Sequence, residues 1–280
     1  MIKPGFVITA LALVALSVYL FVQAPAPLPD EEIAAGETIS IETVLTLVAA
    51  ENDIARTLWT KDIVGSGVEV GLAFSEEWED EGVEAGPLPA LFLRLAATDL
   101  QRNPIPLGLF LGSDFPISPS NLFSGKQMER FDRIKETGDP EFFFEEDTQL
   151  YTAMFADNAS VMPCVDCHNF HPDSPKVDWV LNDVMGATTW AYPKEEVTRD
   201  EFIEIIAAVR QSFRNSYIAY LEKVSTFAEQ PEIGEQWPSE GFYLPTADLF
   251  IQEFSQRSSA NTVEILLNAE ASPVEPSIEN

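Results

Sequence analysis

The sequence predicts an α+β domain, and three observations predict it. Long segments carry apolar residues at helical spacing, as in Ile41, Val44, Leu45, Val48, Ala55 and Leu58. Shorter runs alternate as strands do, with Leu107, Leu109 and Leu111 on one face and Phe110 on the other. The helices flank these short strands in an order without βαβ regularity, which argues α+β rather than a parallel sheet. At 280 residues, 46% of them apolar, the chain is long enough for one large or two small domains with a proper core.

Taken in order, the chain opens with Lys3 ahead of an uncharged run from Phe6 to Val22, followed by Gln23-Ala24-Pro25-Ala26-Pro27. The run is near the lower limit for crossing a bilayer, about 17 residues, and longer than the apolar part of a typical signal peptide. Proline follows both Ala24 and Ala26, which disfavours cleavage there, so residues 1–23 read as an uncleaved transmembrane anchor. No cysteine follows the run, which excludes a lipid anchor at that point. Positive charge before the span and none soon after it place the rest of the chain outside the cytoplasm. No second span follows.

Residues 24–38 are Pro- and acid-rich and read as a stiff linker. The domain is expected over 39–228. A helix is predicted from about Ile39 to Ile63, with Gly65 as its stop and Glu51, Asn52 and Arg56 interrupting its apolar stripe. Val68 to Phe74 reads as a strand, Glu76 to Glu84 as an acidic loop, and Pro89 as the opening of a helix to about Leu100. Pro104 to Gly112 has strand character, broken by Pro116 and Pro119. Gly125 to about Glu136 is a charged, peripheral helix. Phe142 to Ala156 and Val184 to Tyr192 read as strands. Thr198 with Glu201 forms a capping box for a last long helix to about Phe227. Beyond it, residues 229–280 hold ten Asp or Glu against a single Arg257. Such an acidic extension is either disordered or docks through its apolar clusters Leu249-Phe250-Ile251 with Phe254, and Val263 with Ile265-Leu266-Leu267.

The only two cysteines stand in Cys164-Val165-Asp166-Cys167-His168. C-x-x-C-H is the attachment pattern of a c-type haem: two thiols on one turn add to the two vinyl groups, and the next imidazole becomes the proximal iron ligand. Other readings fit less well. A zinc site needs further Cys or His ligands, and His168 and His171 lie too close in sequence to complete a tetrahedron easily. A redox-active C-x-x-C belongs at the start of a helix in a βαβ unit. A disulfide leaves His168 unexplained. Covalent haem c, one per chain, is therefore expected, and its attachment outside the cytoplasm agrees with the anchor. That places the chain at the inner membrane, single-pass, with its bulk in the periplasm. Arg56 is a candidate donor to a haem propionate. For the sixth iron position, Met154 and Met185 on the strands either side of the motif are candidates, each with a core role as the alternative; His171 reads as a loop hydrogen-bond partner.

Past the motif the chain continues Asn169-Phe170-His171-Pro172-Asp173-Ser174-Pro175-Lys176-Val177-Asp178-Trp179, then Asn182-Asp183-Val184-Met185-Gly186-Ala187. Upstream stand Gly108-Leu109-Phe110-Leu111, Ser113-Asp114-Phe115-Pro116 and Asn121. This resembles a bacterial extracytoplasmic haem-c domain family, long catalogued as a domain of unknown function and often the sensor part of histidine kinases, cyclases and chemoreceptors. The resemblance covers roughly residues 40–225 and is most specific over 164–187. It implies a PAS-like antiparallel sheet flanked by helices, Cys164 and Cys167 as thioether positions, His168 as proximal ligand, and Lys176 and Trp179 near the haem edge. The chain departs from the sensor pattern after its last helix, where no second span, coiled linker or catalytic output module is read.

The net charge of −30 excludes nucleic acid as a partner and disfavours an anionic membrane surface. It suits a saline setting, or a basic redox partner. No nucleophile–base constellation is visible, so an electron carrier rather than an enzyme is expected, working within or beside a multi-subunit membrane complex. The alternatives are a haem-based redox or gas sensor acting on a separate signalling protein, and an accessory docking subunit.

Overall fold

A computed structural model describes residues 38–239, 241 and 243–271 of the chain, with side chains left out at 260 and 266–271. The run from Phe6 to Val22, where the anchor is expected, lies outside these residues. Among the described residues no helix is long and apolar enough to cross a membrane.

Helix and sheet are mixed, as an α+β chain requires. Strand β1 (Thr38–Ser40) leads into helix α1 (Ile41–Thr57), whose first turn is capped by Ser40 Oγ accepting from the Thr43 amide. The helix thus starts two residues later than the predicted Ile39, because Ile39 pairs with Val197 of strand β8 (Glu196–Thr198). Helix α1 runs on as a π-helical segment, Leu58–Gly65, then the short helix α2 (Ser66–Glu69). The strand expected over Val68–Phe74 reduces to β2 (Ala73–Ser75), because Gly71 takes a left-handed φ of 95° that ends extended pairing. Its partner is β3 (Ala85–Pro87), in parallel. Helix α3 (Pro89–Leu100) starts on proline as expected.

The central sheet joins β4 (Gly108–Gly112), β5 (Glu141–Glu145), β6 (Leu150–Asn158) and β7 (Val184–Tyr192), all antiparallel, in the order β4-β7-β6-β5. The single strand expected over Phe142–Ala156 is a hairpin, since residues 146–149 turn and Gln149 sits at φ 59°. Alternation gives the sheet two faces. Leu109, Ala153, Trp190 and Tyr192 join the larger core with α1, α3, helix α6 (Arg199–Val224) and helix α7 (Ala247–Ala271). Phe143, Met154 and Ala187 face helix α4 (Gly125–Thr137), which is not peripheral: its Phe131 and Ile134 are fully buried. The charged composition of α4 hid a two-residue apolar stripe.

Helix α6 is capped by Thr198, whose Oγ1 accepts from the Glu201 amide. The Glu201 carboxylate accepts instead from Tyr192 and Lys194. The acidic extension contributes to the core. Phe250 and Phe254 of α7 are fully buried, and Phe250 stacks on Tyr217 at 4.2 Å between ring centroids. Phe250→Ala should therefore lower unfolding free energy by roughly 3–5 kcal/mol, the usual cost of removing a buried Phe ring. Denaturant unfolding followed by circular dichroism measures it, and an unchanged midpoint would remove α7 from the shared core.

Candidate functional site

The segment between β6 and β7 carries the cysteines. It is pinched at its base, where the Ala159 amide donates to Asp183 O (2.9 Å) and the Asn182 amide to Ala159 O (3.0 Å). Within it, Met162–Phe170 form helix α5, with Pro163 in the first turn, where a missing N–H costs nothing. The motif is thus helical rather than a bare turn. Spacings of three and four residues put Cys164, Cys167 and His168 side by side on α5. Val165 supplies the buried face and packs with Ala159, Trp179 and Met185, with Cys164 against the same cluster.

Both thiols are free. Cys167 is exposed as a residue, yet the protein around its sulfur strips enough water to push the thiol above its ordinary value, and the carboxylate of Glu76 and the Cys164 thiol add to the shift. That is the opposite of the lowered thiol a redox-active C-x-x-C needs at neutral pH. Among the described residues no group of three or more His, Cys, Asp or Glu side chains is arranged to hold a metal ion. The His168 ring is half-buried, edge-on to Trp179 at 6.3 Å, and its Nδ1 is buried without a hydrogen-bond partner. Burial lowers its pKa, with the nearby His171 adding and Glu76 opposing, so the ring is neutral at neutral pH.

The other predicted residues divide. Trp179 is 5% exposed and lies against the motif, and Lys176 Nζ stands 4.4 Å from its ring centroid while pairing with Asp178. Arg56 pairs with Asp157 and donates to Thr188 Oγ1 at 3.3 Å; the Asp157 carboxylate holds its pKa up, and Cys164 is near enough to contribute. Met185 belongs to the motif's own cluster. Met154 does not. Strand alternation turns it to the α4 face, fully buried among Phe123, Phe131, Ile134 and Phe143. His171 is a loop partner, its Nδ1 accepting from the Asp173 amide, and it also reaches Glu76 Oε2 at 3.1 Å, which fixes Nε2 as its donor.

Sequence reasoning missed three positioning residues. The Asn169 side chain bonds the Trp179 backbone twice, donating to its carbonyl (2.9 Å) and accepting from its amide (2.8 Å). Ser113 Oγ donates to Met185 O (2.6 Å) and accepts from the Phe115 amide (3.0 Å), which brings Phe115 edge-on to Trp179. Glu76, from the acidic segment, reaches the motif through His171. The Trp179, Met185 and His171 partners lie 10 or more residues away, and no local pattern marks them.

Asn169→Ala removes both clamps on Trp179 and leaves its amide unpaired, a loss of about 1–3 kcal/mol. Amide exchange at Trp179 should then rise about 10- to 100-fold; an unchanged rate would show that Asn169 does not hold this loop. Compared with known families, proteins and structures, the chain shows no match to a family model, to a curated protein or to a solved structure.

Proposed function

We propose that this chain is a membrane-anchored, extracytoplasmic c-type cytochrome that carries single electrons within or beside a membrane redox complex, on a PAS-like domain. One observation carries the reading: Cys164, Cys167 and His168 lie together on α5, with both thiols free and the imidazole half-buried, neutral and unpartnered at Nδ1. A neutral imidazole is the form that ligates iron. The thiols would hold the haem by thioethers and His168 would be its proximal ligand. When bound, haem supplies an iron that exchanges one electron between the ferric and ferrous states.

The chain's own groups then have defined work. Val165 and Trp179 exclude water from the buried side of α5, and Asn169 holds Trp179 in place. The His171–Glu76 contact ties the loop after the motif to the segment that follows β2. Arg56 places a positive charge near Cys164, partly balanced by Asp157. The sheet order β4-β7-β6-β5, with its last strand between the first and the third, supports the PAS-like reading.

A second reading, a haem-based redox or gas sensor acting on a separate protein, draws on Met154. That side chain is packed against α4, away from the motif, and without it as a ligand the iron would more readily offer an open position to a small gas.

The test is an optical spectrum of the full-length chain in detergent, oxidised and dithionite-reduced, with and without carbon monoxide. A c-type α-band is expected, together with loss of covalent haem in the Cys164→Ser, Cys167→Ser double variant and at most one thioether in Cys164→Ser. Covalent haem surviving the double substitution would refute the assignment. A low-spin form indifferent to carbon monoxide marks the carrier; ready carbon monoxide binding to a high-spin ferrous form marks the sensor.

A further inference from the structure

Exposed apolar side chains are unevenly placed on this molecule. Twelve large ones are exposed among the described residues, and six of them, Phe115, Met162, Phe170, Val177, Val180 and Leu181, lie on α5, on the loop after it, or in contact with that loop. Phe170 is 83% exposed, Val177 63% and Val180 59%, values that burial against this chain's own core would abolish. Trp179 is the pivot of the group: Phe115 meets its ring, Asn169 beside Phe170 grips its backbone, and Val177, Val180 and Leu181 lie within two residues of it. Apolar groups gathered in this way, with a polar rim, mark an interaction site.

The rim is acidic. Residues 162–183 carry Asp166, Asp173, Asp178 and Asp183 against the single charge of Lys176, and Lys176 is already paired with Asp178. Glu76 adds a further carboxylate through its contact with His171. Charge then selects the occupant. A second copy of this chain would bring another net −30 to the contact, and an anionic lipid surface would be repelled in the same way. A protein with an apolar centre ringed by Lys and Arg is complementary on both counts.

We propose that the face around Phe115, Phe170, Val177 and Val180 is the docking surface for a basic redox protein that exchanges electrons with this chain. The inference rests on the haem reading: Cys167, which would hold the haem, is exposed on α5 beside this face. In the exchange one electron would pass from this chain's reduced haem, which would thereby be oxidised, to the partner's oxidised one-electron centre, which would be reduced. No proton or other group moves.

The test uses the full-length, detergent-solubilised, reduced chain and oxidised mitochondrial cytochrome c as a basic surrogate, with the rate of electron exchange followed by stopped flow. The second-order rate should fall about tenfold or more between about 10 and about 300 mM ionic strength, and should fall similarly when the surrogate's lysines are acetylated. Phe170→Ser with Val180→Ser should slow exchange about fivefold or more. Asp173→Lys with Asp178→Lys should slow it and flatten its salt dependence. Glu146→Lys with Asp147→Lys, the same change in charge at the distant β5–β6 turn, should leave most of the rate intact. All variants should keep the α-band and thermal midpoint of the parent chain. Patch variants that exchange electrons no more slowly than the β5–β6 control would overturn the proposal. So would a wild-type dimer in sedimentation that the Phe170→Ser, Val180→Ser variant dissolves, since the occupant would then be a second copy. A missing α-band in the parent chain would instead overturn the haem reading beneath it.

Discussion

The site depends on the antiparallel ladder between β6 and β7 and on the two backbone hydrogen bonds that close it beyond Asn158. Tyr151–Asn158 pair with Tyr192–Val184, and Ala159 then grips Asp183 and Asn182. Everything that bears on the cysteines leaves the sheet at that pinch and returns to it. The register shifts between Asp157 and Asn158, opposite which β7 carries the extra residue, Met185. Bulges re-aim side chains. Asp157 meets Arg56 of α1 and accepts from Thr188 on β7 at 2.8 Å, so the irregularity that ends the ladder also ties α1 to the sheet beside Cys164. Close approach matters here too: a Cβ on Gly186 would come within 2.5 Å of the Gly112 carbonyl oxygen. Glycine at 186 lets β4 lie near enough for Ser113 to hold Met185 O.

On the other side of the sheet the core is aromatic and is closed by one buried ion pair. Trp59 stacks on Phe92 at 4.2 Å and meets Tyr220 edge-on, which joins α1's π-helical continuation to α3 and α6. Glu51 is 1% exposed and takes two hydrogen bonds from Arg210, at 2.9 and 2.5 Å. A carboxylate so buried is tolerated only with its charge matched and its oxygens bonded. Arg210 does both. It also reaches Ser258 of α7, and Thr262 reaches Glu51, so the same pair joins α1, α6 and α7. The apolar stripe of α1 breaks at Glu51 because this residue serves a neighbouring helix, not because that face meets water.

How much of this could be read beforehand follows from the range of the interactions involved. The bounds of β7 and the start of α6 were legible because an uncharged run rich in strand-forming residues and a Thr cap are local signals. The β5–β6 hairpin was not. Its turn contains no Gly, Pro or Asn, and Gln149 adopts the left-handed region against its type's preference. The docking of α7 was open for the opposite reason, since acidic composition spoke for disorder while Phe250 and Phe254 needed a core that only tertiary structure supplies. At the site, the juxtaposition of Cys164, Cys167 and His168 was legible because spacings of three and four residues fall side by side on one helix. Arg56 was picked out as a donor, but its partner Asp157 lies across the fold and has no sequence mark. Met154 and Met185 looked equivalent from their strands. Parity alone would put both on one face of the sheet, and strand position separates them: Met154 lies mid-strand under α4, Met185 at the strand end, where the register shifts beside the motif.

The dispersed acidity of the chain acquires a local meaning from the way its cations are used. Arg56, Lys135, Lys176, Arg210 and Arg257 are each bound to carboxylates of the fold. With 46 Asp and Glu against 16 Lys and Arg, several of those cations already paired within the fold, the outer field is negative. Around the motif this field is felt directly, since Glu76 helps to raise the Cys167 thiol and opposes the loss of basicity at His168. A negative field favours the more positive of two charge states of any centre held there, so carboxylates that would draw in a basic protein would also bias a one-electron centre toward its oxidised form. Recognition and redox poise would thus share one set of side chains on this face. Because Asp173 and Asp178 are exposed and Glu76 partly so, salt would weaken both effects together.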